Sequence, residues 1–175
     1  MNNKSIGSLI LLLVVLALAQ GLIFKSFSMS IGGYRHFHIL IYPLFIILMP
    51  FGTSRPLQLF LAFALGLFVD IFYESPGIHA SAAVFTAYIR PLILNWLEPR
   101  EGYNINHVPT KDQYGITWYL TYSGIMMMLH LFFYFSVDAF TYYYIVDILL
   151  RTLSSFVISM VFVIMAAYIF NSKPY

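Results

Sequence analysis

The sequence predicts an all-α integral membrane protein, a single domain over residues 1–175 folded as a six-helix transmembrane bundle. Hydrophobic residues make up 61% of the chain and charged residues only 9%, against about a quarter charged in average chains. A soluble domain of this length could not bury that much apolar surface. The apolar residues fall into six runs, separated by turns rich in glycine, proline and charge. All but the second run reach the roughly 17–25 residues that a spanning helix needs. The net charge of +2 is too small and too dispersed for a nucleic-acid surface. The chain has no cysteine, which excludes disulfides, thiol catalysis and cysteine metal sites. No cofactor is expected.

The first helix covers about residues 5–24, which at 1.5 Å per residue matches the hydrocarbon core of roughly 30 Å. It reads as a retained span and not a signal peptide. Ser26-Phe27-Ser28 is a poor cleavage site, and five further apolar runs follow. Ala17 and Gly21 form a small-x-x-x-small pair that lets another helix approach. Gln20 has two readings, a hydrogen bond inside the bundle or an interfacial polar residue. In the polar loop that follows, His36 and His38 have no third ligand nearby and read as interfacial residues.

The second segment, about residues 36–51, is short for a span, carries Pro43 near its start and ends at Pro50. Its length leaves open a tilted, thinned or partly re-entrant course. Pro56 suits the first turn of the third helix, about 57–73, in which Ala62 and Gly66 give a small-residue face. Glu74-Ser75-Pro76-Gly77 turns the chain into the fourth helix, about 78–97, whose first half is slim (Ser81, Ala82, Ala83, Ala87). These two helices therefore form a tight hairpin. Arg90-Pro91 kinks the fourth helix, and the arginine either points into the bundle or snorkels toward Trp96.

Residues 98–113 form the longest polar stretch, read as a connection or as a contact surface for a cytosolic protein. The fifth helix, about 114–137, opens on an aromatic anchor (Tyr114, Trp118, Tyr119, Tyr122) and carries packing methionines at 126–128 and an internal His130. The sixth, about 142–170, is long enough to tilt or protrude, and its Asp147 and Arg151 are an i, i+4 ion pair with the acid first. With six spans, one side of the membrane holds Lys4, Arg55, Arg100, Lys111 and Lys173, and the other holds Lys25 and Arg35. The positive-inside rule then places both termini in the cytoplasm.

The hairpin carries the chain's most distinctive pattern: Gly66-Leu67-Phe68-Val69-Asp70, then Pro76-Gly77-Ile78-His79-Ala80. An ionisable group so placed is a functional or architectural hypothesis by default, the plain alternative being a solvated acid at the loop edge. The pattern, with the length and the order of apolar segments along the whole chain, resembles the rod shape-determining protein MreD family. That resemblance implies a non-enzymatic inner-membrane component of the bacterial cell-elongation machinery. Its implied partners are the bitopic protein MreC and, through it, the actin-like MreB filament, the elongation transpeptidase and the SEDS-type glycosyltransferase. It also implies that Gly66, Asp70, Gly77 and His79 are the family-motif positions. The architecture it implies is similar in plan to the substrate-binding subunits of energy-coupling-factor transporters.

Depth along the helices places Asp70, Glu74, His79, His130, Asp147 and Arg151 at one level. Such a cluster would clamp the last four helices together, with Asp70 paired to Arg151 or His79. An enzyme is the weaker reading, because no nucleophile elbow, phosphate loop or ligand spacing accompanies these groups. The alternative of another class is a small-molecule-binding membrane subunit of a transporter. A broken second helix and a kinked fourth could enclose a pocket, although Ala17 and Gly21 match only part of the alanine-x-x-x-alanine pattern such subunits often carry.

Overall fold

The structure, a computed structural model, describes residues 3–29 and 38–169. Arg35, His36 and Lys173 lie outside them. The described residues are helical or irregular, with no strand among them. Helix α1 (Asn3–Leu18) continues without a break through a π-helical turn (Ala19–Phe24) into α2 (Lys25–Met29). A single helical turn, α3 (Leu44–Ile47), follows, and then the hairpin of α4 (Arg55–Tyr73) and α5 (Ile78–Trp96). After α6 (Lys111–Tyr114) come α7 (Ile116–Ala139), a 3-10 turn (Tyr142–Tyr144) and α8 (Ile145–Ile169).

Among the described residues four helical segments are long and apolar enough to cross a membrane: Leu9–Phe27, Arg55–Tyr73, Ile116–Ala139 and Ile145–Ile169. Helix α5 has the same 19 residues as α4 and packs along it, but His79, Ser81, Thr86, Arg90 and Asn95 make it more polar. Those groups face protein more than lipid, for His79, Thr86 and Arg90 are buried. Gly115 (φ +84°) separates α6 from α7, so the fifth predicted helix begins two residues later than its aromatic run suggests.

The second predicted helix needs correction. Residues 38–51 are not a transmembrane helix; only α3 is helical, and residues 38–42 are irregular. The segment nonetheless passes from one end of the molecule to the other. Gln20, which binds Ile39 near the start of the segment, also donates to the Tyr73 hydroxyl (2.7 Å) at the end of α4. Phe51 and Gly52, at its other end, donate to His107 O (3.2 Å) and Ile105 O (2.9 Å) in the loop beyond α5. A stretch this short, interrupted by Pro43 and Pro50, does not suffice for a helical crossing, but an extended chain rises about 3.3 Å per residue against 1.5 Å in a helix.

Unwound backbone at membrane depth survives only where protein satisfies its polar groups. Here Ile39 to Met49 are all buried, and side chains meet the backbone from both sides. His38 N–H donates to Ser155 Oγ (2.9 Å) and Leu40 N–H to Ser159 Oγ (3.1 Å). Two residues of extended chain advance about 6.6 Å and four residues of helix about 6 Å, so the two repeats stay in register. From the other side Gln20 Nε2 donates to Ile39 O (2.9 Å) while its Oε1 accepts from Ile41 N–H (2.7 Å). Further along, Tyr122 donates to Ile47 O (3.2 Å) and Arg90 Nη2 to Met49 O. Gln20 and Arg90 thus take the bundle-internal of their two readings.

Candidate functional site

The α4–α5 hairpin is built around the Asp70 carboxylate. A helix begins with backbone N–H groups that have no partner within it, and Gly77, the residue before α5, offers no side chain to cap them. Asp70 reaches across from α4 to supply the cap. Its Oδ1 accepts from His79 N–H (2.9 Å) and its Oδ2 from Ala80 N–H (3.1 Å) and Gly77 N–H (3.1 Å). Ile78 N–H donates to Ser75 O (3.4 Å), which completes the first turn. Negative charge at a helix N-terminus is also favoured by the helix dipole.

The side chains around the carboxylate tighten the same knot. Ser75 Oγ donates to Asp70 Oδ1 (3.1 Å), and His79 Nδ1 lies 2.9 Å from the same oxygen. An ionised carboxylate only accepts, so Nδ1 carries the ring proton. Gly77 adopts φ +88°, open to glycine without strain. Gly66 lets the helices touch: a Cβ there would lie 2.4 Å from Ala80 Cα and 2.7 Å from His79 O. Backbone atoms cannot rotate aside. Gly66→Ala should therefore cost stability at the upper end of the roughly 1–3 kcal/mol typical of overpacking, read as a lowered melting temperature in detergent.

The single polar clamp expected from depth resolves into separate groups. Asp70 pairs with His79 and not with Arg151. Arg151 Nε lies 2.7 Å from Asp147 Oδ2, its i, i+4 neighbour, and Arg151 Nη1 lies 3.9 Å from Asp138. These side chains are partly exposed. Arg151→Gln should change stability by less than about 1 kcal/mol, as for other exposed pairs, and its melting temperature should stay close to that of the unaltered chain. Glu74 points outward beside Lys25 at 3.8 Å. Lys25 also donates to Phe72 O at the C-terminus of α4, where a cation complements the helix dipole.

His130 belongs to an aromatic cluster behind the clasp. Its Nδ1 is 2.7 Å from Thr86 Oγ1, and its ring meets Tyr42 edge-on (5.1 Å between centroids). Tyr42 also touches the His79 ring (5.7 Å), which is flanked by Tyr73 (4.6 Å) and Tyr134 (4.9 Å). The small residues have distinct uses. Ala17 and Ala62 are wholly buried, and Gly21 accommodates the Phe72 ring, since a Cβ would come within 2.5 Å of it.

On the outer side of the hairpin lies an open apolar groove of about 590 Å³. Gly77, Ala80 and Ser81 contribute small residues to it, and Phe63, Tyr88 and Phe133 belong to its walls. Phe63 and Tyr88 are exposed. The clasp that brings α4 and α5 together therefore also shapes this groove. Among the described residues no cluster of three or more histidine, cysteine or acidic groups could hold a metal ion.

Sequence reasoning missed Ser155 and Ser159, which bind the unwound segment, and read Tyr119 and Tyr122 as an interfacial anchor, whereas both are buried and Tyr122 also binds that segment. A signal was present: two serines at i, i+4 spacing inside an apolar helix, beside a segment too short to span as a helix.

Among the described residues the fold is all-helical, with four helices long and apolar enough to cross a membrane, as in a multi-pass membrane protein, and an unwound segment buried among them. No family model matches the chain, and no curated protein and no solved structure is significantly similar to it.

Proposed function

We propose that the chain is a non-enzymatic scaffold of the bacterial inner membrane that works in the cell-elongation complex. It binds MreC and through it links MreB to the transpeptidase and SEDS glycosyltransferase of peptidoglycan synthesis. The observation that carries this reading is the groove outside the hairpin. Its apolar lining suits a transmembrane helix, and its small residues allow the close backbone approach on which helix association in lipid depends. In this reading the motif residues are architectural: Asp70, Gly66, Gly77 and His79 fix the wall that the partner helix meets.

Six crossings follow when the unwound segment and α5 are counted with the four apolar spans. Arg55, Arg100 and Lys111 then fall on the same side as both termini, the cytoplasmic side by the positive-inside rule. The transporter alternative draws on the unwound segment, since broken helices often line substrate sites. Against it, the segment's backbone groups bond to protein, and neither of the two described cavities includes residues 38–49.

Gentle detergent co-purification of the tagged protein at native level, with mass spectrometry of its companions, tests the reading. Recovery of MreC and the elongation synthases is the expected result. Recovery of a pair of ATPases with a coupling subunit would establish the transporter alternative instead.

A further inference from the structure

A second cavity, of about 290 Å³, lies at the opposite end of the molecule from the clasp, between the start of α4 and the last turns of α5. Arg55, Gln58, Thr53, Arg90, Asn95 and Tyr103 are among its lining residues. Among the described residues no carboxylate lines it, and the charge they bring is that of two guanidinium groups. Burial pushes the Tyr103 hydroxyl up to about 12, which keeps it neutral, and it donates to Leu94 O (3.0 Å).

Two buried polar atoms on lining residues have no hydrogen-bond partner: Thr53 Oγ1 and Gln58 Oε1. Both residues are at least 95% buried. The Gln58 amide is oriented by its other end, since Nε2 donates to Thr53 O (2.7 Å). Its Oε1 is left without a donor among the described residues. Arg90 uses Nε on Tyr122 and Nη2 on Met49 O, two of the five donors a guanidinium carries. The first turn of α4 adds the positive end of a 19-residue helix that has no side-chain cap.

We propose that this cavity binds a phosphate ester bearing hydroxyl groups. The two guanidinium groups and the helix terminus take the phosphate, for which planar arginine donors are well matched. A ligand hydroxyl donates to Gln58 Oε1, and the Thr53 hydroxyl donates to a phosphate oxygen. The same chemistry exists in the head group of an anionic phospholipid and in a soluble phosphate ester. The site is independent of the scaffold reading.

Native mass spectrometry and thermal-shift measurements on the full chain in detergent test the proposal, with phosphatidylglycerol, phosphatidylcholine and glycerol 3-phosphate as probes. Phosphatidylglycerol should bind in preference to phosphatidylcholine and raise the melting temperature. Arg55→Gln should weaken that binding by about tenfold, the loss of one charge-assisted contact. Thr53→Val should weaken it as well; because Arg55 is exposed, its variant reports on the site even if the buried Thr53 variant does not fold. Binding of glycerol 3-phosphate too would assign a soluble ester, and binding of the lipid alone would assign a head group. Equal binding of the two lipids with no binding of glycerol 3-phosphate, or binding indifferent to Arg55→Gln, would overturn the proposal.

Discussion

Asp70→Ala should lower the melting temperature in detergent more than any other single change at the hairpin. The substitution leaves the buried N–H groups of His79 and Ala80 without acceptors and removes one of the two partners of His79 Nδ1, the other being Ser75 Oγ. At about 1–3 kcal/mol for each orphaned donor, the two amides alone cost about 2–6 kcal/mol. Asp70→Asn keeps one acceptor oxygen but turns an amide NH₂ toward N–H donors, so it should recover only part of the loss. A melting temperature unchanged in Asp70→Ala would mean that the cap does not hold α5 to α4. Loss of partner binding in a variant that still folds would place Asp70 in the interface itself.

The second large effect is expected at Gln20. Gln20→Leu has nearly the same shape but abandons Ile39 O and Ile41 N–H, both inside the bundle where water cannot replace the lost bonds. A cost of about 2–6 kcal/mol follows from two unsatisfied backbone groups. The segment from 38 to 51 should loosen first, because Gln20 supports it opposite Ser155 and Ser159. Hydrogen exchange read by mass spectrometry checks this. Faster exchange confined to residues 38–51 is the expected pattern, and unchanged exchange there would show that the glutamine does not support the segment.

Much of this architecture was legible in the residues. The apolar runs located the long helices, since nothing else accommodates so many uncharged residues, and Pro43 with Pro50 marked the second segment as short for a helix without revealing that most of it is unwound. Gly66, Asp70, Gly77 and His79 stood out as a pattern, and the hairpin geometry explains their spacing. One turn past Gly66, Asp70 sits level with the start of α5 and can cap it. The polar groups were harder to place. Depth along a helix says nothing about which way a side chain faces, so Arg151 looked like one cluster with Asp70 and His130, although it pairs with Asp147 and Asp138 while His130 meets the Asp70–His79 pair through the Tyr42 ring. Ser155 and Ser159 passed unnoticed because serine is common at helix interfaces, and their role needs an extended partner whose path only the folded chain shows.

The claim that the hairpin groove receives a partner's transmembrane helix is tested most directly by site-specific photo-crosslinking in cells. A photoreactive residue at Phe63 or Tyr88 probes the groove, and one at Val157, exposed on α8, serves as the control. The account predicts adducts with MreC from Phe63 and Tyr88 and none from Val157. Adducts with MreC from Val157 alone would contradict it and move the interface to α8.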